Sequence, residues 1–202
     1  MLGGVVAVVL LAGALVLGYQ LTNQAFGDDP TPEDTTTATT PPPAVDPVEL
    51  DIANAAAYDP VLPDGGGGSG EENDGLASSA IDNDPATAWT TVNYFDPLEL
   101  QKAGVGLVLD LGEVRTVTGI QLTLLTPGGT VEVRAAPEDA TEVPAEPDAF
   151  SVVQTLADPV VSPAATFEAP ATTRFLLVWF TELPQFEGNY KNGVADVVVL
   201  GE

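Results

Sequence analysis

The chain has 202 residues, enough to bury one sizeable core with length left over. Its 5 Lys and Arg stand against 30 Asp and Glu, a formal net charge of −25, which argues against nucleic acid and against docking on anionic lipid. With no Cys and no His, disulfides, Cys/His zinc sites and Ser/His or Cys/His catalytic pairs are excluded, while the lack of Cys assigns no redox compartment.

Residues 2–17 are an unbroken apolar and Gly run that extends through Tyr19 to Leu21. About 20 such residues suffice for a helix across ~30 Å of hydrocarbon, and Tyr19 would sit at the interface. A secretory signal is the rival reading, but it needs a basic leader, and no Lys or Arg precedes Lys102. The expectation is a single-pass membrane helix over 1–21. A chain that opens directly inside such a helix reads as a fragment, or as a late start within a longer gene. No flanking charge sets its orientation. Residues 22–47 are rich in Thr, Pro and acids and poor in bulky apolar residues, so they read as a disordered, self-repelling stalk. That Thr/Pro mix suits sugar attachment by composition only.

A folded domain is expected over 48–202. Within 58–75 lie four consecutive glycines and an acidic stretch. A phosphate-cradling loop would need a following Lys, so this reads as a flexible surface loop. The stretch 80–89 reads Ala-Ile-Asp-Asn-Asp-Pro-Ala-Thr-Ala-Trp. Its small polar residues cap their own backbone, and Pro85 keeps Asp84 out of the helical region. Asn83 tolerates a positive φ, while Ile81 and Trp89 would pin the loop ends into a core. An EF-hand counted from Asp82 fails, since positions six and twelve hold Thr87 and Asn93.

From Gly104 the pattern turns to strands. Val105, Leu107, Leu109 and Leu111 alternate with Gly106, Val108 and Asp110. The run 116–125 also alternates, but Val117 is out of phase with Ile120, Leu122 and Leu124, which predicts a β-bulge at Thr118-Gly119. A Pro-Gly-Gly turn leads to a strand at 131–135, a Pro- and acid-rich loop covers 137–149, and shorter strands fit 150–156 and 165–169. In 173–181, Phe175, Leu177 and Trp179 occupy one face and Leu176, Val178 and Phe180 the other, the pattern of a central strand covered on both sides. A last strand fits 194–200. Many short strands and no long amphipathic helix after the first segment predict an all-β sandwich or jelly roll. Trp89 and Trp179 are assigned to its core. Lys102 and Arg174 are expected to pair with neighbouring acids.

The loop at 82–89 resembles the Asp-Gly-Asp-Pro-x-Thr-x-Trp signature of discoidin-like domains, also called F5/8 type C or galactose-binding-like domains. A wider resemblance rests on 84–91, 102–112 and 174–184, phrases similar to the C-terminal region of actinobacterial MviN/MurJ-type proteins, the lipid II flippase family. The flippase's many other membrane helices are absent from this sequence. The resemblance implies a discoidin-like jelly roll outside the plasma membrane behind the single-pass anchor. It implies a structural Ca²⁺ held by Asp82, Asp84 and Thr87 and closed by Asp196, although Asn83 and Asp196 stand where the family more often has Gly and Glu. The rival reading is that Asp82 and Asp84 only cap turns. It also implies sugar or headgroup binding through end loops, where Tyr94, Phe186 and Tyr190 (with Phe95) offer aromatic faces. The same residues would otherwise anchor their loops. The expected function is non-catalytic and accessory to lipid II export, with a cell-wall glycan or lipid-linked precursor as partner. The alternative is a free-standing carbohydrate- or peptidoglycan-binding module on a stalk. A glycoside-cleaving carboxylate pair cannot be singled out among so many acids.

Overall fold

The structure, a computed structural model, describes residues 46–61 and 68–202. The membrane-helix reading of 1–21 lies outside these residues, as does the stalk up to residue 45. Among the described residues no helix is long and apolar enough to cross a membrane.

The described chain forms strands β1 (Val48–Leu50), β2 (Asn54–Tyr58), β3 (Trp89–Thr90), β4 (Val105–Leu124), β5 (Thr130–Ala135), β6 (Ser151–Ala157), β7 (Ala164–Glu182), β8 (Gln185–Phe186), β9 (Asn189–Tyr190) and β10 (Gly193–Gly201). Short 3-10 segments at Asp74–Ala80, Leu98–Leu100 and Pro147–Ala149 link them. Every strand pairing is antiparallel. The main sheet runs β1-β10-β4-β7-β5-β6, with β2 also on β4 and β3 also on β10.

Two long strands carry the architecture. Alternation at 104–111 and 116–125 predicts two strands, as do the runs at 165–169 and 173–181. Each pair is instead one continuous strand, β4 and β7. Neither break contains a reversing turn. On β4, Asp110 pairs with Phe175 and Arg115 with Thr173, so Leu111 to Val114 bulge out of the ladder. On β7, Ala171 pairs with Val117 and Thr166 with Gly119, so 167–170 bulge in turn. Pro170, which cannot donate to a ladder, falls within that second bulge. At these corners both strands pass from one layer to the other. Thr118 is the unpaired residue between Val117 and Gly119 on both sides of β4. That is the bulge the phase slip at Thr118-Gly119 predicts.

The two halves face each other over one core. Val105, Leu107, Leu109, Val131, Val133, Leu176, Val178 and Phe180 come from the β2-β4-β7-β5 half. Val117, Ile120, Leu122, Leu124, Val194, Val197 and Val199 come from the β10 half, and Trp89 joins them. A second cluster covers the outer face of the first half, with Tyr58, Val108, Phe150, Phe175, Leu177 and Trp179. This explains the apolar residues on both faces of 173–181: β7 lies between β4 and β5 with cover above and below. Gly106 is required where β4 meets β7, because a Cβ there would fall 2.1 Å from the Val178 carbonyl oxygen.

Candidate functional site

Three groups of residues bear on function: the 82–89 loop, a buried charged network behind it, and a pocket beside the β8–β9 hairpin.

The loop caps itself. Asp84 N donates to Asp82 Oδ1 at 2.9 Å, Thr87 Oγ1 to Asp82 Oδ2 at 2.7 Å, and Ala86 N to Asp84 Oδ1 at 3.0 Å. Asn83 takes the positive φ expected of it, 60°. The Thr87 hydroxyl and then the Asp84 amide hold the Asp82 carboxyl below the usual carboxylate range. Ile81 packs on the main core and Trp89 is fully buried within it. The last strand does return beside this loop, since β10 pairs with β3 at Val194↔Trp89 and Gly193↔Thr90. The residue that lines a recess with Ile81 and Asn83, however, is Val197. Asp196 precedes it on the strand and so faces the other side of the sheet. Among the described residues no three acids converge on one position for an ion. Asp82, Asp84 and Thr87 therefore come together in the loop, while Asp196 lies on β10 on the face away from that recess. The hydrogen bonds account for Asp82 and Asp84 as turn caps.

The charged network lies where the sequence suggests a loose surface loop. Lys102 Nζ lies 2.5 Å from Asp59 Oδ1 and 3.6 Å from Glu72 Oε2. The Asp59 Oδ2 atom accepts Ser69 N at 2.8 Å and Gly70 N at 3.2 Å. Glu72 Oε1 accepts Val92 N at 2.7 Å, its Oε2 accepts the Tyr94 hydroxyl at 2.7 Å, and its carbonyl accepts Trp89 Nε1 at 2.9 Å. The Lys102 and Glu72 side chains are 7% and 1% exposed. Burial raises the Glu72 carboxyl, against the lowering effects of Tyr94, Val92 and Lys102. Burial, then the Glu72 contact, pushes the Tyr94 hydroxyl up as well. Tyr94 is thus a buried donor to Glu72 and presents no ring to a ligand, contrary to its reading as a sugar platform. Its neighbour Phe95 is the exposed aromatic. Lys102 does pair with acids, yet with Asp59 and Glu72, far from it in sequence. Arg174 pairs with Asp110 through two contacts of 2.8 Å.

The pocket is built by a tight hairpin. β8 and β9 pair at Gln185↔Tyr190 and Phe186↔Asn189. The two turn residues, Glu187 and Gly188, take φ of 52° and 85°, as a two-residue hairpin with right-handed twist requires. Reciprocal backbone bonds between Tyr94 and Tyr190, at 3.0 and 2.8 Å, tie the hairpin to the body. Buried Asn192 fixes the opposite wall, accepting Thr126 N at 3.1 Å and donating to Thr126 O at 2.9 Å. Thr90, Leu125, Thr126, Phe186, Lys191 and Asn192 enclose about 250 Å³. Phe186 is 40% exposed at this pocket, and Lys191 Nζ sits 5.1 Å from its ring centre. Of the expected ligand residues, only Phe186 lines it. Tyr190 is half-buried in the hairpin that holds Phe186. A larger recess of about 430 Å³ between β6 and the β7 bulge contains no aromatic side chain. Lys191 and Asn192 escape sequence reasoning, because the buried role of Asn192 depends on a turn 66 residues away.

No protein-family model matches the chain. Solved structures similar to it include a mutant of chitosan-binding module 1 from a chitosanase/glucanase of Paenibacillus sp. IK-5, at 17% identity, covering 75% of this chain and 96% of that one, with TM-score 0.52. Module 2 of the same enzyme, in complex with chitotriose, is similar at 16% identity over 74% and 96%, with TM-score 0.51. The family 32 carbohydrate-binding module of AlyQ, in complex with 4,5-unsaturated mannuronic acid, is similar at 15% identity over 75% and 97%, also with TM-score 0.51. The fold is shared with these modules and is an all-β jelly roll.

Proposed function

We propose that the chain is a non-catalytic carbohydrate-binding module whose ligand sits in the pocket of Phe186, Lys191 and Asn192. The observation that carries this reading is Phe186, a partly exposed aromatic at a mainly apolar pocket, on a fold shared with modules solved with chitotriose and with an unsaturated mannuronic acid. A pocket of apolar walls with a few polar groups at its edge fits a small ligand, and a sugar's apolar face suits an aromatic ring. Service to lipid II export behind a membrane anchor is the finer reading implied by the MviN/MurJ resemblance. The fold and the pocket support sugar binding and add nothing to that finer role, though a peptidoglycan glycan remains within the ligand class.

The test is calorimetric titration of the chain with chito-oligosaccharides, uronate oligomers and peptidoglycan fragments. At least one class is expected to bind, and Phe186→Ala to weaken it at least tenfold with an unchanged melting temperature. Binding that survives Phe186→Ala would move the site elsewhere, and no binding to any of the three would end the carbohydrate reading.

A further inference from the structure

The chain has 5 cationic side chains against 30 acids. Four are in ion pairs: Lys102 with Asp59, Arg115 with Glu113, Arg134 with Glu132 and Arg174 with Asp110. Among the described residues, Lys191 is the one cation in no ion pair. It is also the one that lines the pocket, where its companions Thr90, Leu125, Thr126, Phe186 and Asn192 are all uncharged. In a chain this acidic, a pocket wall with one ammonium and no carboxylate lacks its counter-charge. The Lys191 backbone is anchored, its N donating to the Pro184 carbonyl at 3.2 Å, and its Nζ lies over the Phe186 ring.

We infer that the pocket selects a saccharide bearing a carboxylate, a uronate or another acidic sugar, with the ring on Phe186 and the carboxylate on Lys191 Nζ. This rests on the carbohydrate reading above. The overall charge of −25 does not forbid it. At physiological salt, exposed charges are screened beyond about 8 Å, so the contact between ammonium and carboxylate outweighs distant acids. Lys191 offers a point charge and three donors on a flexible stem, which suits a carboxylate whose angle to the sugar ring varies.

The experiment titrates the full chain with oligogalacturonate and oligomannuronate, with their carboxyl-reduced neutral counterparts, and with chito-oligosaccharides. The acidic forms are expected to bind at least tenfold more tightly than the reduced ones. Lys191→Met should erase that difference while leaving binding of the neutral forms, and Lys191→Arg should keep most of it. Melting curves of both variants should match the parent, since Lys191 pairs with no acid. Neutral or amino sugars that bind as well as acidic ones, with Phe186→Ala abolishing both, would overturn the inference and leave the carbohydrate reading standing. A preference for acidic sugars that survives Lys191→Met would also overturn it. No binding of any probe would overturn both.

Discussion

Asp59, Glu72 and Lys102 bring two negative charges and one positive into a nearly dry site. Lys102 lies closer to Asp59 than to Glu72, which leaves Glu72 as the excess charge. Its carboxyl is raised above its unfolded value, chiefly by burial. A raised group contributes stability that is fully present below its unfolded pKa and is lost as the pH climbs through the folded one. Glu72→Gln keeps an acceptor for Val92 N and a partner for Tyr94. It should leave the melting temperature at pH 7 unchanged or higher, and should flatten the decline in stability above the ordinary carboxylate range. Lys102→Met would strand two buried carboxylates and should cost about 3–5 kcal/mol. Calorimetric melts from pH 4 to 8 check both, and a Glu72→Gln protein that melts far lower at pH 7 would refute the excess-charge account. Asp110 behaves in the opposite sense. Arg174 holds its carboxyl down, so its contribution exists above the unfolded value and is lost as the pH falls through the lowered one. Because both side chains are partly exposed, Asp110→Asn should cost about 1 kcal/mol at pH 7, with the gap to the parent closing in acid. Denaturant midpoints at pH 7 and 3 measure this.

At the scale of elements, what the sequence reveals is set by distance along the chain. The Thr118 bulge was legible because a one-residue phase slip is a local signal, and the central place of β7 because both faces of 173–181 are apolar. The continuity of β4 and β7 was not. The alternation lapses between Leu111 and Thr116 and the apolar run between Ala169 and Thr173, and only pairing to a distant partner keeps each strand going through a bulge. Glu72 looks exposed among Gly, Asn and Asp, and its burial depends on Tyr94 and Lys102. Tyr94 and Phe95 are equally aromatic in sequence, yet backbone pairing to Tyr190 turns one inward and leaves the other out. The turns of the 82–89 loop are written in its own small polar residues, while the place of Asp196 depends on which face of β10 it takes. Since the loop's own donors satisfy Asp82, adding calcium or EDTA should shift the melting temperature by less than a degree. A clear rise with calcium would return an ion to this loop, and Thr87→Val should lower stability by about 1 kcal/mol in either buffer.

At the largest scale, the described residues form a two-layered body with no covalent staple. Its main core spans both halves, and β4 and β7 belong to both layers, so neither half separates without tearing a continuous strand. The pocket draws on residues before β4, after β4 and around β8–β10, so a ligand bound there would raise global stability by mass action.

The pairing of Val48 with Gly201 has a mechanical side. The first residue of β1 and the last of β10 therefore share one corner of the body. Tension applied between Pro47 and Glu202 would open the three β1–β10 rungs one after another, like a zip, rather than strain them together. The interior strands lie off that line of force. A tug would therefore strip a short edge ribbon first, as a built-in slack, before the rest of the body bears load.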